Sequence, residues 1–214
     1  MLEARFKIKY EKRIKKNFQN INDFKISVDH VLKCSVYNQG CDGGYSYLVS
    51  KFFNQFEILH ASCFDKNKNS CHQKCEDENM NSLALSVKNF YYVGGAYSKT
   101  NEENLMRDLY TNGPIVVSFE PDYSFMVYKS GVFDFKKENW LTQNTSKPQW
   151  QKVDHSVLLV GWGVEVANGK EIKYWLLQNS WGKNWGEAGY VRFRRGVDLL
   201  GIESIGEAAI PHLE

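Results

Sequence analysis

The stretch Val153-Asp154-His155-Ser156-Val157-Leu158-Leu159-Val160-Gly161-Trp162-Gly163 sets a titratable side chain directly ahead of an apolar run closed by glycines. A short apolar run bounded by turn residues reads as a buried strand, predicted here from Ser156 to Trp162 with His155 at its entry. A second such run, Tyr174-Trp175-Leu176-Leu177, leads into Gln178-Asn179-Ser180-Trp181-Gly182 and on through Lys183-Asn184-Trp185-Gly186. An imidazole needs a hydrogen-bond partner on one nitrogen to fix its tautomer before the other can exchange a proton with a nucleophile. Asn179 is the candidate partner. Taken singly, a histidine at a strand end is usually a surface residue, and Asn-Ser before Trp-Gly is usually a turn. Only their joint occurrence points to chemistry.

Outward from these segments the chain divides into two kinds of pattern, which predicts an α+β fold. From about Gly94 it alternates short aromatic and β-branched runs with glycines: Ile115 to Phe119, Ser156 to Trp162, Lys173 to Leu177, Tyr190 to Arg194 and Ser204 to Ile210. These read as antiparallel sheet or barrel. Up to about residue 90 the chain reads helical. One helix runs to about Lys16 with Leu2, Phe6, Tyr10 and Ile14 on a face. A second, near Ser27 to Lys33, turns Val28, Val31 and Leu32 inward, and a third spans about Tyr45 to Phe56 with Leu48, Phe52, Phe53 and Phe56 on one side. Between the halves, Thr100 and Glu103 have capping-box spacing, Leu105 and Leu109 share a face, and Gly113-Pro114 is the stop. Gly40-Cys41-Asp42-Gly43-Gly44-Tyr45 precedes the third helix, and its paired glycines read either as a helix entry or as a platform for substrate.

Composition narrows the function classes. The 214 residues carry 27 basic and 25 acidic side chains, a net charge of +2, which disfavours nucleic-acid binding by bulk electrostatics. Hydrophobic content of 43% with 14% aromatics excludes a disordered or collagen-like chain. No apolar window reaches membrane-spanning length, and the opening residues do not read as a signal peptide. Five cysteines, Cys34, Cys41, Cys63, Cys71 and Cys75, are clustered, and their odd number suggests two bridges and one orphan. The first helix has no residue ahead of Leu2 able to cap it, so orphan and uncapped helix both lead to the expectation that sequence belongs before Met1.

These segments, in this order, resemble the papain-like cysteine peptidases. The likeness rests on Gln39-Gly40-Cys41-Asp42-Gly43-Gly44, Val153-Asp154-His155, Gln178-Asn179-Ser180-Trp181-Gly182, Trp185-Gly186-Glu187-Ala188-Gly189-Tyr190 and Arg194-Arg195-Gly196. Within the family, Met1-Leu2-Glu3-Ala4-Arg5, Tyr91-Tyr92-Val93-Gly94-Gly95 and Gly201-Ile202-Glu203-Ser204-Ile205 are similar to the dipeptidyl-peptidase-I (cathepsin C) branch. The resemblance implies a helical left domain over 1–93, an antiparallel β-barrel right domain over 94–204, and a segment over 205–214 returning to the left domain. His155 becomes the proton acceptor and donor, Asn179 its orienter, and Trp181 the shield over their hydrogen bond. Gly43 and Gly44 offer backbone groups to an extended peptide, Tyr45, Tyr47, Tyr92 and Ile205 line the pocket for its second residue, and Val153 and Asp154 flank the histidine on the substrate side. Cys34 pairs with Cys71 and Cys63 with Cys75. The branch further implies a peptide or protein substrate, a chloride near Tyr92 with no other cofactor and no metal, a homotetramer, and lysosomal or secreted placement, with Asn144-Thr145-Ser146 as a glycosylation acceptor.

The departure from the family is that its nucleophilic cysteine and oxyanion glutamine, two helical turns before Met-Leu-Glu-Ala-Arg, have no counterpart here; the exclusion domain that captures a substrate's free amine is also absent. A fragment of an enzyme, inactive by itself, is therefore the first expectation. A noncatalytic papain-fold protein that binds peptides or a partner is the alternative, and a small zinc site from Cys63, Cys71, His72 and Cys75 is a third reading that lacks paired CxxC knuckles.

Overall fold

The computed structural model describes residues 1–18, 20–76, 83–134, 153–167 and 169–214. The glycosylation acceptor at Asn144 lies outside them. The described chain forms two compact units, Met1–Tyr91 with Ala208–Glu214, and Tyr92–Glu207. No helix among the described residues is long and apolar enough to cross a membrane.

The first unit is mainly helical. The predicted opening helix is two, α1 (Leu2–Lys9) and α2 (Glu11–Asn17), broken at Tyr10, whose φ of −120° and ψ of 25° leave the helical region. Leu2, Phe6 and Ile14 still reach the same core, where they join Phe24, Phe52, Phe53, Ile58 and Leu85. Helix α3 (Val28–Cys34) is capped by Ser27, whose Oγ accepts from the His30 backbone N at 3.1 Å. Its inward face is not the predicted one. Val28 is 70% exposed and Leu32 43%, while His30 and Cys34 are buried. The helix rotates because Cys34 is tied to Cys71 by a disulfide, and because the His30 ring stacks on Phe64 (centroids 5.1 Å) and meets Phe52 edge-on at 5.3 Å. Helix α4 (Ser46–Gln55) buries Phe52 and Phe53 but leaves Phe56 exposed. Strand β1 (Leu85–Tyr92), missed in the sequence, borders the last strand of the chain, Ile205–Leu213. The second disulfide joins Cys63 to Cys75. These bonds use three of the four sulfur and imidazole ligands of the zinc reading, which is thereby excluded.

The second unit holds α5 (Glu102–Asn112), α6 (Tyr123–Met126) and strands β2 (Ile115–Phe119), β3 (Val132–Phe133), β4 (His155–Ala167), β5 (Lys170–Gln178), β6 (Tyr190–Arg194) and the start of β7 (Ile205–Leu213). They lie in the order β7-β2-β4-β5-β6-β3. In place of the expected closed barrel the sheet is open among the described residues, where β3 presents only Val132 and Phe133 and pairs them in parallel with β6. Trp175, Leu177, Phe193 and Phe119 fill its interior. Thr100 does not cap α5. Asn101 does, accepting from Asn104 N at 2.9 Å, because its extended backbone sets the side-chain oxygen over the first turn. The buried Thr100 hydroxyl instead donates to Val93 O (2.7 Å) and accepts from Gly206 N (2.9 Å). Glycine suits position 206, because a Cβ there would stand 2.9 Å from the end of the Leu105 side chain, which would have to shift, and 3.3 Å from Val93.

Thr100→Val keeps the shape and leaves Gly206 N–H without its acceptor; a loss of about 1–3 kcal/mol is expected in urea unfolding, with the slope unchanged. His30 provides a pH test. Its Nδ1 has no hydrogen-bond partner among the described residues, and burial holds its pKa below the ordinary 6.5. The folded state thus favours the neutral ring, the unfolded chain binds more protons, and stability falls as pH drops below about 6.5. In unfolding measured from pH 7.5 to 5, His30→Phe is expected to flatten that fall; an unchanged slope would remove His30 as its source.

Candidate active site

His155 is the first residue of β4 and stands opposite Phe119, the last of β2, while Asp154 N donates to Phe119 O at 3.1 Å. Asn179 follows the last residue of β5, the antiparallel neighbour of β4. Strands running in opposite directions bring the start of one near the end of the next, so residues 24 positions apart meet: His155 Nε2 lies 2.9 Å from Asn179 Oδ1. The amide orientation is decided independently of the histidine. Ser180 N–H donates to the same Asn179 atom at 2.8 Å, and a backbone donor requires that atom to be oxygen. An oxygen acceptor in turn requires the proton on Nε2, which leaves Nδ1 with the free lone pair of a neutral imidazole. Asn179 is only 8% exposed, and its Nδ2 has no partner among the described residues. Such an unsatisfied buried donor costs about 1–3 kcal/mol and is retained where the other end of the amide has a task.

Aromatic rings hold the imidazole. Trp181 lies over it with centroids 4.9 Å apart, Phe119 meets it edge-on at 5.8 Å, and Phe125 is at 6.2 Å. Trp185 packs on both Trp181 (5.3 Å) and Phe125 (5.0 Å), and its indole N–H donates to Met126 O. Trp181 itself is 40% exposed. Phe119, Phe125 and Trp185 were not anticipated as site residues. Phe119 carried a signal as the end of a predicted strand, whereas α6, four residues capped by Asp122, is too short to show a period.

The loop from Trp185 to Tyr190 supports Asn179 from behind, its Gly189 O accepting from Asn179 N at 2.9 Å. Glu187 anchors that loop. Its carboxylate takes two hydrogen bonds from the Arg192 guanidinium (3.0 and 2.7 Å) and one from Gly131 N (2.9 Å), and the arginine, above all, holds its pKa below the usual carboxylate range. Gly186 takes a left-handed φ of 56°, where a Cβ would stand 2.6 Å from Tyr190 O.

The remaining predicted residues fall in both units. In the first, Gly43, Gly44 and Tyr45 are exposed on the turn that enters α4, and Tyr47 packs edge-on against Phe90 at 4.8 Å. In the second, Tyr92 contacts Tyr97 at 5.6 Å, Val153 is half-buried, Asp154 is exposed, and Ile205 is 1% exposed in β7 opposite Ser118. Cys41 is the free cysteine, exposed on a three-residue 3-10 turn, Gly40–Asp42. The described residues contain no group of side chains able to hold a metal ion.

The tautomer is open to direct test. The imidazole ¹⁵N spectrum of the neutral protein is expected to show His155 protonated on Nε2, and Asn179→Ala to mix the two tautomers; a wild-type proton on Nδ1 would contradict the assigned amide orientation.

Known proteins carry the same arrangement of segments. The pattern of the papain family cysteine proteases matches residues 8–210. Dipeptidyl aminopeptidase 1 of Plasmodium falciparum (isolate 3D7) is 29% identical over 94% of this chain and 38% of its own length. Cathepsin C of Schistosoma mansoni is 34% identical over 85% of this chain and 39% of its own. The chain therefore spans about two fifths of the length of these two relatives. Among solved structures, bromelain protease from Ananas comosus in complex with the E64 inhibitor is 26% identical with a TM-score of 0.67, covering 97% of this chain and 83% of bromelain. Fold, site segments and relatives agree: the chain belongs to the papain family of cysteine proteases.

Proposed function

We propose that this chain is the histidine-bearing part of a dipeptidyl-peptidase-I-like cysteine peptidase, one that removes dipeptides from the amino end of peptides. The observation that carries the reading is the 2.9 Å bond from His155 to Asn179, with the proton on Nε2. With Nε2–H held by the amide, Nδ1 accepts the proton of a cysteine thiol, and the resulting thiolate attacks the peptide carbonyl carbon. The imidazolium then returns that proton to the departing amine, leaving an acyl-enzyme that water hydrolyses. Asn179 Oδ1 steadies the ring in both states, and Trp181 keeps water from competing for it.

The nucleophile of this scheme is not one of the five cysteines here. Four are in disulfides, and Cys41 stands on a 3-10 turn beside Asp42, without the helix N-terminus that stabilises such thiolates. We therefore assign the sulfur, and the domain that would capture a substrate's free amine, to a portion outside these 214 residues. Contacts of Gly43, Gly44, Tyr45, Tyr47, Tyr92, Val153, Asp154 and Ile205 with the peptide, a chloride near Tyr92 and a homotetramer belong to the same proposal. So does lysosomal or secreted placement, supported by the two disulfides. The missing sulfur also favours a second reading, a papain-fold protein that binds peptides without cutting them.

In the protein isolated at its natural length, unblocked dipeptidyl arylamides are expected to be hydrolysed at a rate abolished by a thiol alkylator. There, His155→Ala is expected to lower kcat by about 10²–10⁴. The 214 residues alone are expected to show no turnover. Turnover by them that Cys41→Ser removes would make Cys41 the nucleophile. Cleavage confined to blocked, internal peptide bonds would make the enzyme an endopeptidase, and tight peptide binding without turnover would establish the second reading.

A further inference from the structure

Glu203 carries a carboxylate into the interior of the second unit, where it is 6% exposed. Oε1 accepts from the Trp175 indole Nε1 at 2.9 Å and from Gly196 N, and Oε2 accepts from Asp198 N at 3.0 Å. Asp198 reciprocates: its Oδ1 accepts from Glu203 N and its Oδ2 from Ser204 Oγ, both at 2.8 Å. The turn closed by these bonds holds two non-glycine residues in the left-handed region, Asp198 (φ 47°) and Leu200 (φ 52°). Side chains adopt that conformation only where their surroundings over-determine it. Glu203 supplies that constraint, because its two oxygens grip both the beginning of the turn and a neighbouring strand.

Each grip leads to one member of the His155–Asn179 pair. Trp175 lies on β5, the strand that delivers Asn179. Leu200 O, inside the turn, accepts from Glu120 N at 3.2 Å. Glu120 directly follows Phe119, the residue opposite His155 in the sheet and the ring packed edge-on against its imidazole.

We infer that Glu203 is a positioning residue for the His155–Asn179 pair, holding β5, which delivers Asn179, in register with the end of β2, whose Phe119 packs against the His155 ring. The inference rests on the proposed reading of that pair as the proton-transfer unit, and deepens it by naming a residue that touches neither side chain. A carboxylate suits the position because both oxygens accept, whereas the amide of glutamine would turn a donor toward one of the N–H groups.

The test is NMR of the 214-residue chain with Glu203→Gln. The Trp175 indole proton is expected to move, and the Gly196 and Asp198 amides to exchange at least about tenfold faster. In the same sample the His155 Nε2–H signal is expected to shift or broaden as the tautomers mix. If turn and indole respond while the His155 imidazole resonances stay at their wild-type positions, Glu203 only braces its own turn and the inference is overturned. Should Glu203→Gln fail to fold, Ser204→Ala removes a single donor to Asp198; a smaller His155 shift in the same direction is then expected, and none would overturn the inference. The readout is the histidine's proton rather than turnover, so an inactive natural-length protein would defeat the functional proposal without touching this result.

Discussion

The bond between His155 and Asn179 is a constraint of orientation, because an imidazole and an amide each have two orientations and the hydrogen bonds around them select one combination. Ser180 N–H fixes the amide, the amide fixes the tautomer, and the tautomer leaves Nδ1 as the basic nitrogen. Each choice removes an alternative that water would otherwise stabilise nearly as well. The surroundings pack against the pair: Trp181 lies over the imidazole, Phe119 and Phe125 approach it from other sides, and Gly189 O accepts from the asparagine backbone. Asn179 Nδ2 has no partner among the described residues, whereas Oδ1 has two.

Two carboxylates of this unit tie loops to their surroundings. Glu187 ties its loop to Arg192 through paired hydrogen bonds, and Glu203 satisfies three N–H groups of the interior. A half-buried carboxylate bonded by a fixed guanidinium or by backbone donors is a rigid joint, since every lone pair it turns inward has one geometry. The exposed pairs on the first unit, such as Lys15 with Glu11, are of another kind, because solvent screens them and they add little to stability.

The strands were legible from β-branched and aromatic runs bounded by turn residues, nearly continuous in Ile115 to Phe119 and alternating with arginine in Tyr190 to Arg194, and both match the observed strands end for end. Helix faces were less legible. The four-residue spacing from Leu2 to Ile14 named the right buried side chains but hid the break at Tyr10, because two short helices in near succession leave much the same period. In α3 the apolar residues Val28 and Leu32 pointed the wrong way, since a disulfide at Cys34 and three phenylalanines around His30 outweighed the burial of two aliphatic side chains. Thr100 and Asn101 are both good caps, and only the partners waiting at Val93 and Gly206 decided which of them would serve.

By itself the sequence determined the α+β class, the five cysteines, and the two polar residues placed at the ends of apolar strands. These are consequences of local composition, which burial and turn chemistry read directly. The tertiary structure decided what no local window holds: that the sheet is open among the described residues, that Asn179 presents oxygen rather than nitrogen to the imidazole, that Phe119 and Phe125 pack against that ring, and that Glu203 reaches Trp175 on the strand leading to Asn179. The reason is that hydrogen-bond direction and ring packing depend on groups far apart in sequence, which only the pairing of the strands brings within reach.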